Sequence, residues 1–165
     1  MKPKKKGFTL VELMMVMAII VVVSLVVGIF LTTFSKKRHL QSTTGAIVSL
    51  LRSAQQRSII QENGKYWGVK FENLTTDNRF ILFNASDTSL LDFSSTTVVY
   101  LRKFLEFLQP PIAGNSVILF DKISGNMINN PDCLINNNTS SSVSIHLRNS
   151  TATSTIGIYC YGKIE

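Results

Sequence analysis

The sequence predicts an α+β fold in which a long N-terminal α-helix packs on an antiparallel β-sheet head. Three observations predict it: an uncharged, mostly apolar run over residues 13–35, an amphipathic segment after it, and alternating apolar segments between turn residues further on. The predicted domains are a basic segment (residues 1–7), a transmembrane helix (8–35), its amphipathic continuation (36–64) and a β-rich head (65–165).

The apolar run is long enough to cross a bilayer. As a helix rising about 1.5 Å per residue, residues 8–34 would be about 40 Å long, whereas a hydrocarbon core is about 30 Å thick. A cleaved secretory signal fits poorly, because its apolar region usually has about 7–15 residues. A plain signal anchor remains the alternative.

Positive charge lies at both ends of this run. Lysines 2, 4, 5 and 6 precede it, and Lys36, Lys37 and Arg38 follow it. The first cluster favours a cytoplasmic N-terminus, but the second places similar charge on the far side, so counting charges leaves the topology open. Residues 65–165 carry eight basic and eight acidic residues, so the net charge of +7 belongs to the N-terminal third. It is poor evidence for nucleic-acid binding.

The helical pattern continues as an amphipathic segment after the second basic cluster. Its apolar residues recur at roughly helical spacing: Leu40, Ile47, Leu50, Leu51 and Ala54. Gly45 is a weak point at which the helix could bend. Glu62-Asn63-Gly64 predicts the stop, because Gly readily takes the left-handed cap conformation. We therefore expect one helix over residues 8–62.

The remaining residues predict strands. Trp67, Val69 and Phe71 alternate on one face, as in a half-buried strand. Further candidates are RFILFN (79–84), TTVVYLRKFLEFL (96–108), SVILFD (116–121), SVSIHL (142–147) and TIGIYCYG (155–162). Pro110-Pro111 interrupt the pattern, and residues 134–142 predict a polar loop. About one hundred residues can build an antiparallel sheet whose inner face the helix covers.

The stretch Gly7-Phe8-Thr9-Leu10-Val11-Glu12-Leu13 resembles the class III signal of type IV prepilins and type II secretion pseudopilins. Members carry a short basic leader ending in Gly, then Phe, then Glu four residues later inside a long apolar helix. The resemblance implies that a prepilin peptidase cleaves between Gly7 and Phe8 and methylates the Phe8 amine. It implies a single-pass inner (cytoplasmic) membrane protein before assembly, with a cytoplasmic N-terminus and a periplasmic or extracellular head.

Glu12 lies just inside the apolar run, where a carboxylate costs about 2.5–3.5 kcal/mol on insertion-based scales. A buried charge is tolerable when it is paired. The resemblance implies that Glu12 pairs with the Phe8 amine of a neighbouring subunit, which would help to set subunit register. A carboxylate that reaches to the membrane interface is the alternative.

The head resembles the H-type pseudopilins and FimT-like minor pilins. In that layout a strand ending in Phe leads to a Gly turn and then to two late strands, as in ILFDKISG (118–125), VSIHL (143–147) and IGIYCYGKI (156–164). Lys122 stands where the family often has Arg. The head lacks an obvious basic C-terminal motif of the kind expected in DNA-uptake minor pilins, which weakens a DNA role.

The two cysteines, Cys133 and Cys160, both lie in the head. A head outside the cytoplasm permits a disulfide, and the even count suits one. We predict a bridge that ties the Asn-rich loop to the last strand, and two separate buried thiols are the alternative. Two cysteines this far apart do not make a zinc site.

No catalytic site or cofactor is expected. Neither His39 nor His146 stands beside a nucleophile in a recognisable motif. Four residues that suggest calcium miss the EF-hand spacing and are expected to be turn residues: Asp121, Asn126, Asn129 and Asp132.

The sequence therefore predicts a structural minor pilin or pseudopilin of a type IV pilus or type II secretion pseudopilus. Its expected partners are other subunits, bound through their N-terminal helices, the prepilin peptidase, the inner-membrane assembly platform and the membrane, but not nucleic acid. One alternative is a minor pilin whose head binds DNA or another extracellular ligand, as in DNA uptake. A signal-anchored extracytoplasmic enzyme is a third possibility, disfavoured because no active-site residues can be named.

Overall fold

A computed structural model describes residue 7 and residues 9–88, 93–110, 114–128, 140–148 and 150–165, without the side chains of residues 26, 28–30, 93 and 140. The chain divides into two compact units, Met1–Lys36 and Lys37–Glu165, and helix α1 (Leu10–Ile59) runs through both. Among the described residues, every buried side chain belongs to the second unit. This unit therefore has a hydrophobic core of its own.

Seven strands are described, and they form two antiparallel sheets. The first has the order β3-β2-β1-β5 and the second the order β4-β6-β7. The strands are β1 (Tyr66–Asn73), β2 (Asn78–Ala85), β3 (Phe93–Tyr100), β4 (Leu105–Gln109), β5 (Asn115–Phe120), β6 (Ser140–Leu147) and β7 (Thr153–Tyr159). The predicted combination of a helix and antiparallel strands is confirmed, but the head has two sheets where one was expected.

Helix α1 ends three residues earlier than predicted. Gln61 and Asn63 have positive φ angles of 53° and 56°, as does Gly64 at 65°, so the chain leaves the right-handed helical conformation before Glu62. A short 3-10 turn, Glu62–Gly64, follows. The expected weak point at Gly45 does not interrupt the helix.

The first half of α1 was expected to be transmembrane. Within the described residues, no helix combines the length and the apolar character that a membrane crossing requires. The structure therefore does not support the prediction of a transmembrane segment over residues 8–35.

One hydrophobic core joins the second half of α1 to both sheets. The helix contributes four buried residues at helical spacing: Leu40, Ile47, Leu51 and Ala54. The predicted inward face of β1 is confirmed, since Trp67, Val69 and Phe71 are all buried. The second sheet completes the core with Leu105, Phe107, Val143, Ile145, Leu147, Ile156 and Ile158.

Two strand predictions need correction. The segment 96–108 is not one strand, because the Leu105 N–H donates a 2.8 Å hydrogen bond to the Arg102 carbonyl and turns the chain. Its two halves, β3 and β4, lie in different sheets. The predicted polar loop ends earlier than residue 142, because Ser140, Ser141 and Ser142 already pair with β7 through their backbones. Backbone pairing does not require apolar side chains.

Candidate functional site

The start of α1 carries a helix cap that the sequence analysis missed. The Glu12 backbone N–H donates a 3.3 Å hydrogen bond to the Thr9 hydroxyl oxygen, and the Leu13 N–H donates to the Thr9 carbonyl at 3.2 Å. Thr9 is therefore the N-cap, and Glu12 occupies the third helical position. Thr-x-x-Glu is the capping-box signature, which could have been read from the sequence.

Glu12 is suited to this place for an electrostatic reason as well. The first turn of a helix presents unpaired N–H groups and the positive end of the helix dipole, which favour a carboxylate. Glu12 is exposed, and within the described residues its carboxylate has no hydrogen bond or ion pair. Phe8, the predicted partner through its amine, lies outside the described residues, so the predicted Glu12–Phe8 pairing stays a prediction.

Gly7 is exposed, and a Cβ built on it would have no described atom within 4 Å. The described part of the chain therefore gives no steric reason for glycine at this position.

The first half of α1 exposes apolar side chains. Those described between Leu10 and Phe34 that are large and apolar are 46–75 % exposed. Ser24, which lies in the middle of the run, donates its hydroxyl to the Ile20 carbonyl at 2.7 Å, so its polar group is satisfied within the helix. Contiguous apolar surface of this kind is typical of a protein or membrane interaction site.

Polar contacts fix the last turns of α1 to the head. The Gln55 side-chain amide donates to the carbonyl oxygens of Gly125 and Gly162, at 3.0 and 2.9 Å. The buried Ser58 hydroxyl donates to the Phe120 carbonyl at 2.7 Å. The predicted Gly turn after β5 and the Gly after β7 therefore meet at one place, beneath the helix end.

Glu72 is a buried carboxylate between two cations on neighbouring strands. Lys70 Nζ lies 2.7 Å from one of its oxygens and Arg79 Nε lies 2.5 Å from the other. Burial by itself would raise the pKa of Glu72, but the hydrogen bonds and charges of Lys70 and Arg79 outweigh it, so the pKa lies below its ordinary value. This cluster links β1 to β2 within the first sheet.

The two histidines considered in the sequence analysis, His39 and His146, each contact other side chains of the second unit. The ring of His39 lies 5.8 Å from the ring of Phe104, centroid to centroid. The Nε2 atom of His146 lies 3.5 Å from a Glu106 carboxylate oxygen, and the other oxygen of Glu106 pairs with Arg148. The two histidines therefore contact different residues of the head.

Asp121 forms a turn, as predicted. Its carboxylate accepts hydrogen bonds from the Ser124 hydroxyl at 2.7 Å and the Ser124 N–H at 3.2 Å, and these bonds lower the pKa of Asp121. Of the other three residues considered for calcium, Asn126 lies in the same turn, where its N–H donates to Ser124. Asn129 and Asp132 lie outside the described residues.

Cys160 is buried and disulfide-bonded. Cys133 lies outside the described residues, as do residues 129–139 around it. The pairing of Cys160 with Cys133 therefore stays a prediction.

Residues 2–28 match the family described as "Prokaryotic N-terminal methylation motif". The matched segment contains Gly7, Phe8 and Glu12, and it supports membership of the type IV pilin and pseudopilin group. A motif of this type points to association with other pilin subunits and with the prepilin peptidase. Neither the comparison with curated proteins nor the comparison with solved structures gave a match.

Proposed function

We propose that this chain is a structural minor pilin or pseudopilin that is built into a type IV pilus or a type II secretion pseudopilus and catalyses no reaction. The observation that carries the proposal is the methylation motif over residues 2–28. In this proposal Gly7 precedes the cleavage site, Phe8 becomes the methylated N-terminus, and Glu12 pairs with that amine in a neighbouring subunit.

The exposed apolar surface of α1 supports assembly. Packed against the corresponding helices of other subunits, its apolar side chains would stay out of water in the filament. Before assembly the lipid bilayer would cover the same surface. The precursor is then a single-pass protein of the cytoplasmic membrane, with a cytoplasmic N-terminus, and the assembly platform takes it from there.

The order of elements in the head supports the H-type within this group. β5 ends at Phe120, the turn after it contains Gly125, and the two late strands β6 and β7 follow, with Gly162 after the second. The Gln55 amide joins the two glycine turns. We assign the chain to the H-type and FimT-like subunits on this layout.

Substitutions at Glu12 and at Thr9 distinguish a role in subunit assembly from a role in capping the helix. Breaking a buried ion pair by removing one partner costs about 3–5 kcal/mol, whereas removing an N-cap side chain costs about 1 kcal/mol. Glu12→Gln and Glu12→Ala keep the Thr9 hydroxyl as the acceptor of the residue 12 N–H, so the first turn retains its cap. Thr9→Ala removes the cap and keeps the carboxylate.

The experiment compares these variants in cells that produce the native filament. Mass spectrometry of the membrane fraction reports cleavage, and the content of sheared filaments reports incorporation. We expect both Glu12 variants to be cleaved normally and to be lost from filaments, and Thr9→Ala to be incorporated at close to the wild-type level. Normal incorporation of Glu12→Ala, or an equal loss with Thr9→Ala, would refute the pairing role.

A further inference from the structure

The tertiary structure brings together three segments of the second unit that carry basic residues. The ring contact of His39 with Phe104 sets the start of this unit's helix beside the turn between β3 and β4. The Arg148 N–H donates to the Phe104 carbonyl at 2.9 Å, which adds the end of β6. The cations carried by these three segments are called the basic surface: Lys37, Arg38, Arg102, Lys103 and Arg148.

The basic surface is positive although residues 65–165 as a whole carry equal numbers of acidic and basic residues. Two carboxylates lie close to it. Glu106 pairs with Arg148 and contacts His146, and Asp77 lines the same groove as Arg102 and Lys103. Of the other described acidic residues, Glu72 pairs with Lys70 and Arg79, and Glu165 pairs with Lys163. The five cations of the basic surface therefore outnumber the described carboxylates beside it.

A groove of about 840 Å³ adjoins the basic surface and adds apolar side chains to it. Leu74 and Leu108 line this groove and are 39 % and 55 % exposed. Cations beside exposed aliphatic side chains are suited to a bilayer interface, where the cations contact phosphates and the aliphatic groups leave water. Binding of single-stranded nucleic acid typically relies on aromatic side chains as stacking platforms.

The position of the basic surface in the chain agrees with a membrane surface as its partner. Lys37 and Arg38 follow Phe34, the last large apolar residue of the run, by three and four residues. If the run is held in the membrane, as the proposed function requires, these cations lie at the level of the lipid headgroups. Cations on the far side of the run do not follow from the positive-inside rule. Contact with lipid headgroups would explain why they are there.

We propose that the basic surface binds the anionic phospholipid headgroups of the membrane from which the head emerges. This inference rests on the proposed membrane-anchored precursor. It holds the head against the bilayer until the subunit is taken into a filament. Each cation near an anionic surface adds roughly 1 kcal/mol, or about fivefold in partitioning, and the attraction falls with added salt.

The test uses the unit Lys37–Glu165, which contains every buried residue described and thus its own core. Sedimentation with vesicles of phosphatidylcholine, alone or with about 30 % phosphatidylglycerol, measures binding. We expect binding to the anionic vesicles only. Arg102→Gln with Lys103→Gln should weaken it by about tenfold or more. Lys65→Gln with Lys122→Gln removes the same charge outside the basic surface and should stay within about twofold of wild type.

Three results would overturn the proposal: no binding to the anionic vesicles, equal weakening by both double variants, or tighter binding to a short DNA duplex than to the vesicles at the same salt concentration. The last result would identify nucleic acid as the partner. Because this unit lacks residues 1–36, its binding is independent of cleavage and incorporation, so a failure here is distinct from a failure of the proposed function.

Discussion

The hydroxyl of Ser58 donates a 2.7 Å hydrogen bond to the carbonyl oxygen of Phe120 and so joins α1 to the end of β5. The same hydroxyl accepts a 3.3 Å hydrogen bond from the Trp67 N–H, at the start of β1. Ser58 is 0 % exposed, so water cannot replace either bond. One small polar side chain therefore sets the end of the helix against two strands.

Ser58→Ala should lower the free energy of unfolding of the unit Lys37–Glu165 by about 1–3 kcal/mol, because two buried backbone groups lose their partner. Urea denaturation followed by Trp67 fluorescence measures it. Ser49→Ala, an exposed serine in the same helix, should change stability by less than about 0.5 kcal/mol. Similar small effects of the two substitutions would contradict the role assigned to Ser58.

Gly162 should not tolerate alanine. Its φ is +82°, and an added Cβ would lie 2.6 Å from the Gly125 carbonyl oxygen and 2.4 Å from the Gln55 amide nitrogen. The amide can move but the backbone carbonyl cannot move freely, so Gly162→Ala should cost more than about 2 kcal/mol in urea denaturation.

Gly45→Ala is the matched control for Gly162→Ala. Gly45 lies in α1, and an added Cβ would meet nothing within 4 Å. Alanine there should raise stability by about 0.5–1 kcal/mol, because it restricts the unfolded chain more than glycine does. A destabilising effect at Gly45, or none at Gly162, would show that the local surroundings of these glycines are described wrongly.

The Glu72 cluster predicts a pH-dependent contribution to stability. The pKa of Glu72 is lowered in the fold. Its ionised form therefore stabilises the folded protein at pH values above about 4.3, the pKa of Glu in an unfolded chain. This contribution is lost as the pH falls through the folded pKa. Glu72→Gln should therefore cost about 1–3 kcal/mol at pH 7, and its difference from wild type should shrink below about pH 4.

Denaturation midpoints across this pH range provide the measurement for Glu72. Glu62→Gln is the control, since the Arg57–Glu62 pair is 3.4 Å apart and each side chain is 36 % exposed. Exposed pairs contribute about 0–1 kcal/mol. A Glu72→Gln effect that is the same at pH 3 and pH 7 would show that the charge of Glu72 is not what stabilises the sheet.

Substitution of Gly7 should block processing without affecting the head. Gly7 has no described steric role, so Gly7→Leu should leave the fold of the second unit unchanged while the leader stays attached. Mass spectrometry should find methylated Phe8 at the N-terminus of the wild type and an intact leader in the variant. Normal maturation of Gly7→Leu would rule out cleavage at this bond.

The predicted disulfide should stabilise the head. A bridge between Cys133 and Cys160 closes over 26 intervening residues, which is worth roughly 3 kcal/mol in the chain-entropy model. Cys133→Ser should lower the melting temperature and make the segment before β6 sensitive to protease. Thiol titration of unfolded, unreduced protein from its native compartment provides the direct measurement, and two free thiols would exclude the bridge.

The linear pattern of the chain predicted its secondary structure well where the signal is local. The buried face of α1 follows from apolar spacing, and the burial of Trp67, Val69 and Phe71 follows from alternation. The helix end was predicted three residues late. Gln61 and Asn63 adopt the left-handed conformation although neither is a glycine, so the sequence contains no signal for a helix end before Gly64. The Thr9 cap was present in the sequence as Thr-x-x-Glu and was missed.

The sequence by itself determined the N-terminal methylation motif and the Thr9 cap of the helix, because a processing signal and a helix start both depend on residues that are adjacent in the chain. Only the tertiary structure decided that the strands form two sheets, that Gln55 and Ser58 hold the glycine turns and β5, and that Phe104, in the turn before β4, contacts His39 at the start of the second unit's helix. These relationships join residues up to 107 positions apart. Their energies depend on burial and distance, which exist only once the chain has folded.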